Sequence, residues 1–236
     1  MSTNLSNRDE FNSMEPVIPL PVALMTLFAV AVGTAGAAFA LTSWLPGLSQ
    51  SLGGTNPTAF WYLARSGGIV AYVLLWMSIA FGLIITNKFA RVWPGGPTAM
   101  DLHQFTALLG FAFAIFHGLI LMGDQYIKYS LLRLLIPFAS VNYQPVWVGL
   151  GQTAFYLMIP VTFSFYFRKR IGYALWRSIH FGSFVVYSLI TVHGLLAGSD
   201  TTNPAMLALY AVTGAFVYFF TLYRIFTMRR ASPAAS

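Results

Sequence analysis

Six apolar runs of about 21–27 residues alternate with short polar connections along the chain. A hydrocarbon core of about 30 Å takes about 20 apolar residues of helix rising about 1.5 Å each, so every run is long enough to span it. The pattern predicts helices over about 20–44, 60–86, 101–122, 147–167, 173–197 and 204–228. Pro46–Gly47 is the stop after the first run, and Pro204 is a good first-turn residue for the last. The expected fold is all-α: a polytopic membrane protein with a six-transmembrane-helix bundle over 20–230. A polar N-terminal tail (1–19) and a short C-terminal tail (231–236) flank it, with 1–16 and 231–236 expected to be disordered.

Composition sharpens this. Hydrophobic residues make up 57% of the 236 residues and charged ones 8%, against about 25% charged in soluble domains; mean hydropathy is +0.69. Cysteine is absent, which excludes disulfides, iron–sulfur clusters, thiolate zinc sites and covalent c-type haem attachment. Asp9, Glu10 and Glu15 accompany Arg8 before the first run, so there is no basic signal-peptide n-region. The Ala-x-Ala-like stretch at Ala38–Ala40 leaves cleavage as the alternative.

A net charge of +7 raises nucleic acid as a partner, but the basic residues sit in short loops, where they orient a membrane protein. Lys88 and Arg91 follow the second run, Arg168, Lys169 and Arg170 the fourth, and Arg224, Arg229 and Arg230 end the sixth. The opposite side has Arg65, Lys128 and Arg133. The positive-inside rule then predicts both termini cytoplasmic, in a multi-pass protein of the plasma (inner) membrane, with the lipid bilayer and not nucleic acid as its surroundings.

All four histidines lie in two runs: His103 and His117 in the third, His180 and His193 in the fifth. Spacings of fourteen and thirteen residues separate each pair by roughly 20 Å along a helix. The two runs point the same way, so His103 matches His180 at an inner level and His117 matches His193 at an outer level. Ionisable groups in a bilayer are costly and mark function. Two stacked pairs of neutral imidazoles suit axial ligation of two haems, because a porphyrin supplies the other four nitrogens. No carboxylate lies near them in the runs, unlike a carboxylate di-iron site or a proton relay. One point of geometry resists. At about 100° per residue, fourteen steps return to within about 40° of the same face, but thirteen miss by about 140°. The fifth helix must bend, hold a π-bulge, or present its histidines on different sides of its axis.

Further residues fall near the two levels. Gly110, midway between His103 and His117, offers either close porphyrin approach or close helix packing; Gly118, Gly182 and Gly194 offer the same choice. Arg65, which breaks the positive-inside pattern, is a candidate partner for an outer-haem propionate. Arg177, one turn before His180, is a candidate for the inner one, with topogenic charge as its other reading. Tyr187 falls between the levels. In the 123–146 loop, Tyr126, Tyr129, Leu131, Leu132, Leu134 and Leu135 form either a short interfacial helix over the outer site or an ordinary amphipathic loop. Phe116-His117-Gly118-Leu119-Ile120 echoes Val192-His193-Gly194-Leu195-Leu196.

Six spans with a His-x13-His pair on the third and a His-x12-His pair on the fifth resemble the ferric reductase-like transmembrane domain. That domain is shared by ferric-chelate reductases, NADPH oxidases and the bacterial membrane haem subunit that serves methionine sulfoxide reductase. Arg65-Ser66-Gly67-Gly68-Ile69-Val70-Ala71 is also similar to its second helix, and the resemblance runs from about Trp61 to Arg230. It implies that His103 and His180 ligate an inner haem b and His117 and His193 an outer one. It further implies electron flow from a cytosolic flavin through both haems to an acceptor outside. No Gly-x-Gly-x-x-Gly follows a strand, so flavin or quinol chemistry is expected only through a partner. The donor is then a cytoplasmic flavin reductase or membrane quinol, and the acceptor iron, oxygen or a periplasmic reductase. A quinol-oxidising cytochrome b subunit is a second redox reading. The reading from another class is a non-haem transporter or structural membrane protein with packed histidines.

Overall fold

A computed structural model of the chain describes residues 15–44, 59–124, 129–141 and 143–230. Among them are α1 (Leu20–Trp44), α2 (Ala59–Thr86), α3 (Gly96–Ile120), the short α4 (Leu131–Leu135), α5 (Pro145–Ile171), α6 (Tyr173–Ala197) and α7 (Pro204–Arg230). Single 3-10 turns cover Phe89–Arg91 and Leu121–Gly123, and no strand occurs among the described residues. The six long helices are each long and apolar enough to cross a membrane. The chain is therefore an all-α, multi-pass membrane protein. The expectations for Pro46–Gly47, Tyr126, residues 1–14 and the 231–236 tail fall outside the described residues.

Two helices, α3 and α5, reach beyond the hydropathy reading. α3 begins at Gly96, five residues before Asp101, with Pro97 in its first turn and the Ala99 amide donating to Gly95 O (2.9 Å). A proline there forfeits no helical hydrogen bond. α5 starts at Pro145 and continues through Arg168, Lys169 and Arg170 to Ile171. Gly172 alone joins it to α6, with φ 80°, a value that favours glycine. The Gly172 amide closes α5 on Arg168 O (2.9 Å), and Gly172 O accepts from Trp176 N (3.1 Å) to open α6. A one-residue connection makes α5 and α6 a tight hairpin.

The closest helix packing is within two pairs, α2 against α3 and α5 against α6; α1 lies along α3 and α7 along α2. Leu27, Leu108, Phe111, Ala112, Met158 and Val186 join α1, α3, α5 and α6 in one core cluster. Tyr72, Leu83, Tyr187 and Val217 join α2, α6 and α7 in another. Phe28, Phe39 and Phe219 are 69%, 67% and 63% exposed, as lipid-facing side chains are.

The 131–135 segment is the short helix of the two loop readings. Ser130 caps it by accepting from Arg133 N (3.3 Å). Gln152 of α5 donates to Arg133 O (2.8 Å) and Leu134 O (2.7 Å), and the Tyr156 hydroxyl donates to Leu135 O. Leu134 packs against Gly118 of α3, one residue beyond His117, while Leu131, Leu132 and Leu135 remain exposed. α4 is thus clamped across the His117 end of the bundle. In the same connection, burial pushes the Tyr129 and Tyr143 phenols up, so both stay neutral. Tyr143 donates to Ala197 O (2.6 Å), tying the loop to the end of α6.

Candidate functional site

The four histidines meet as two pairs, each with one member from the α2–α3 unit and one from the α5–α6 unit. The ring centres of His103 and His180 are 5.8 Å apart with planes at 72°. Those of His117 and His193 are 6.2 Å apart, also at 72°. Two imidazoles sharing one metal through facing nitrogens need ring centres about 6 Å apart, from two bonds of about 2.0–2.1 Å plus two ring radii of about 1.1 Å. Both pairs have this spacing. Among the described residues no three His, Asp or Glu side chains converge. Two protein ligands per metal suffice where a macrocycle fills the other positions.

Three of the rings are held by the same device. His117 Nδ1 meets Ala64 O (2.6 Å), His103 Nδ1 meets Ser78 O (2.7 Å), and His193 Nδ1 meets Trp147 O (2.9 Å). A carbonyl only accepts, so each Nδ1 carries the proton and each Nε2 keeps its lone pair for a ligand. In every case the residue one turn beyond the carbonyl is glycine: Gly68 after Ala64, Gly82 after Ser78, Gly151 after Trp147. A helical side chain leans back over the preceding turn, so glycine at that position uncovers the carbonyl. A Cβ on Gly68 would stand 2.9 Å from His117 Nδ1, one on Gly151 2.7 Å from His193 Nδ1, and one on Gly82 3.5 Å from His103 Cε1. Ser78 Oγ adds contacts to His103 Nδ1 and His103 O, both 3.1 Å.

His180 is held differently. Among the described residues its ring has no hydrogen-bond partner; it stacks on Trp176, one turn earlier on α6, with centres 5.3 Å apart and planes at 20°. The sequence puzzle resolves here. α3 spaces its histidines by fourteen residues, as α2 spaces its two carbonyls, Ala64 and Ser78, so both rings find one. α6 is α-helical throughout, with no π turn. Its thirteen-residue spacing turns His180 away from the face on which His193 meets α5. The antiparallel register that sets His193 beside Trp147 brings position 180 level with Pro160. One turn on from Pro160 stands Ser164, not glycine, donating to Val161 O (3.2 Å).

Of the other sequence candidates, Gly110 faces Leu75 of α2: a Cβ there would lie 2.9 Å from its Cγ and 3.2 Å from its amide nitrogen. This is the close-packing alternative. Gly118, Gly182 and Gly194 likewise meet Leu134, Val161 and Tyr210. Arg65 pairs with Asp200 of the α6–α7 loop, Nε to Oδ2 at 2.7 Å and Nη2 to Oδ1. Those bonds use two of its five N–H donors and leave three. Arg177 is exposed, donates to the Tyr173 hydroxyl (2.7 Å) and lies over the Tyr173 and Phe181 rings. Tyr187 is buried between the levels. Its hydroxyl bonds Tyr72 OH (3.1 Å), which bonds Thr213 Oγ1 (2.7 Å), and Thr213 donates to Leu209 O (2.7 Å). Sequence reasoning missed Gly68, Gly82 and Gly151 as supports, Asp200, and Trp176.

These residues fit haem. The ring spacings suit two imidazoles on one metal, and three of the four rings leave Nε2 free. The buried N–H donors of Trp76, which packs on Phe216, and of Gln104, whose Oε1 accepts from Val17 N, have no partner among the described residues. No curated protein and no solved structure gives a significant match. A family model described as the ferric reductase like transmembrane component matches residues 67–191, just over half of the chain. The matched stretch includes His103, His117 and His180 and stops two residues short of His193.

Proposed function

Since the chain belongs to the ferric reductase-like transmembrane family and so is a membrane electron-transfer component, we propose that it is a di-haem b-type conduit across the plasma (inner) membrane. Ferric reductase-like domains generally bind haem. His103 and His180 hold the inner haem, and His117 and His193 the outer. The observation that carries this reading is the pair of ring separations, 5.8 and 6.2 Å, with Nδ1 of three rings on carbonyls. Haem iron supplies the reversible one-electron change. The chain supplies the rest. The carbonyls of Ser78, Ala64 and Trp147 fix the tautomer and strengthen the ligand nitrogen. The apolar core clusters keep water from the two levels. Arg65 offers its three remaining donors to an outer propionate while Asp200 steadies it. The basic bias of the loops sets both termini in the cytoplasm. The donor is a cytoplasmic flavin reductase or a membrane quinol, and the acceptor is iron, oxygen or a periplasmic reductase.

The deciding experiment is a visible spectrum with pyridine haemochrome quantification of haem-replete purified protein. About two b-type haems per chain are expected. A colourless protein would return the histidines to packing, and a ratio of one would leave a single-haem site.

Two further outcomes are expected. Arg65→Ser should shift one midpoint potential and spare the other; redox titration with both unmoved would remove Arg65 from the cofactor. The sequence has no Gly-x-Gly-x-x-Gly after a strand, so the 236-residue protein given NADPH alone should keep its haems oxidised. Adding a flavin reductase or a reduced quinol should bleach the oxidised spectrum. Rapid reduction by NADPH alone would mean that these residues contain a nucleotide site.

A further inference from the structure

The three carbonyl-held histidines and the one that lacks a carbonyl make the two levels unequal. At the His117/His193 level both Nδ1 atoms are bonded, to Ala64 O and Trp147 O. At the His103/His180 level only His103 is, to Ser78 O. A hydrogen bond at Nδ1 does two things for a ligating imidazole: it stops rotation about the Cβ–Cγ bond, and it raises the basicity of the other nitrogen. His180 has neither. What fixes its plane is the Trp176 indole, nearly parallel at 20° with centres 5.3 Å apart. Stacking restrains the ring's tilt, and aromatic contacts of this kind are worth about 0.5–1.5 kcal/mol. It does not withdraw the Nδ1 proton. The spacing of thirteen residues on α6, against fourteen on α3, is the origin of the difference.

We infer that Trp176 is the positioning residue of the inner centre, standing in for the missing carbonyl, and that His180 is the ligand most readily displaced by a small exogenous ligand such as carbon monoxide. The inference rests on the di-haem reading above. Trp176 acts through His180 and is not itself a ligand. The outer centre, with both rings held at Nδ1, is closed to such ligands.

The test uses the full-length, haem-replete protein and optical spectra rather than electron-transfer rates. Haem content is measured first: two haems in the unaltered protein uphold the reading on which the inference depends, and none ends that reading without touching Trp176. Trp176→Leu, which keeps apolar bulk but no ring, should then convert about half of the haem to a form that is high-spin when oxidised and binds carbon monoxide when reduced. Trp176→Phe, which keeps a ring to stack, should restore the low-spin spectrum and most of the resistance to carbon monoxide. His180→Ala marks the spectrum of an inner centre lacking this ligand, and the Leu variant should match it. Leu and unaltered proteins with the same spectrum and the same carbon monoxide response would overturn the inference. So would a change shared equally by both haems, or a Phe variant as disturbed as Leu. Should the Leu variant not accumulate, Phe against unaltered protein decides. A small rise in carbon monoxide binding confined to one haem is expected, and no rise overturns it.

Discussion

His193→Ala should bring the haem content of the purified protein from about two per chain to about one and stop electron passage across the bilayer. Under the di-haem reading His193 supplies one of the two protein nitrogens at the outer level, and the other two histidines of the sequence, His103 and His180, already pair with each other. The remaining centre, at His103 and His180, is about 20 Å away along α3, since fourteen residues at about 1.5 Å each separate His103 from His117. Most of the hydrocarbon thickness would then lie between the surviving haem and the outer surface. The measurement is a haemochrome ratio together with reduction of an impermeant acceptor by protein in vesicles. Two haems retained, or undiminished transfer, would show that His193 is packed rather than ligating.

Nearly as large an effect should follow from changing a residue that ligates nothing. Gly151→Ala is expected to lose most of the outer haem, and Gly151→Leu all of it. The Cβ of either would stand 2.7 Å from His193 Nδ1, with Cγ and Cε1 at 2.8 and 2.9 Å, so the ring must move. It cannot move without leaving Trp147 O. Gly68→Ala should act likewise on His117, whose Nδ1 lies 2.9 Å from the added carbon. Gly82→Ala should be tolerated, because 3.5 Å to His103 Cε1 is ordinary contact. Gly33→Leu, with nothing within 4 Å, should leave both haems in place. The ordering of haem loss, 151 and 68 far above 82 and 33, is the result to check by haemochrome across the five variants. Equal retention in all five would dismiss the glycines as supports.

Much of the fold is legible because a bilayer makes demands a sequence displays openly. The first and fifth apolar runs predict 20–44 and 173–197, and α1 and α6 have those limits. α3 and α5 begin earlier than their apolar cores, at Gly96 and Pro145. Hydropathy marks where lipid starts, not where the backbone starts to coil; Pro97 and Pro145, each in a first helical turn, carry that second signal. The histidine levels were readable from spacing because all four residues are of one rare type. Their supports were not. Gly151 matters only because α6 brings His193 against it, and no pattern within α5 separates it from Gly149, which packs on Phe138. Asp200 is 135 residues from Arg65, although a cation inside an apolar run on the sparsely charged side was itself a sign that some anion should face it. Trp176 was within reach, since positions four apart on a helix are neighbours.

The division of the bundle into an α2–α3 pair and an α5–α6 pair bears on how such a protein is made. Each pair is a helical hairpin, the second joined by Gly172 alone, and each can insert into the membrane and pack on its own apolar face. Neither contains a complete ligand set. Every histidine couple draws one ring from each hairpin, so under the di-haem reading each bound haem ties the two hairpins together, beyond the apolar cluster that already joins Leu108 and Phe111 to Met158 and Val186. A chain starved of haem would keep that cluster but lose two cross-links between its halves, and should offer quality-control proteases a looser seam rather than a wholly unfolded substrate.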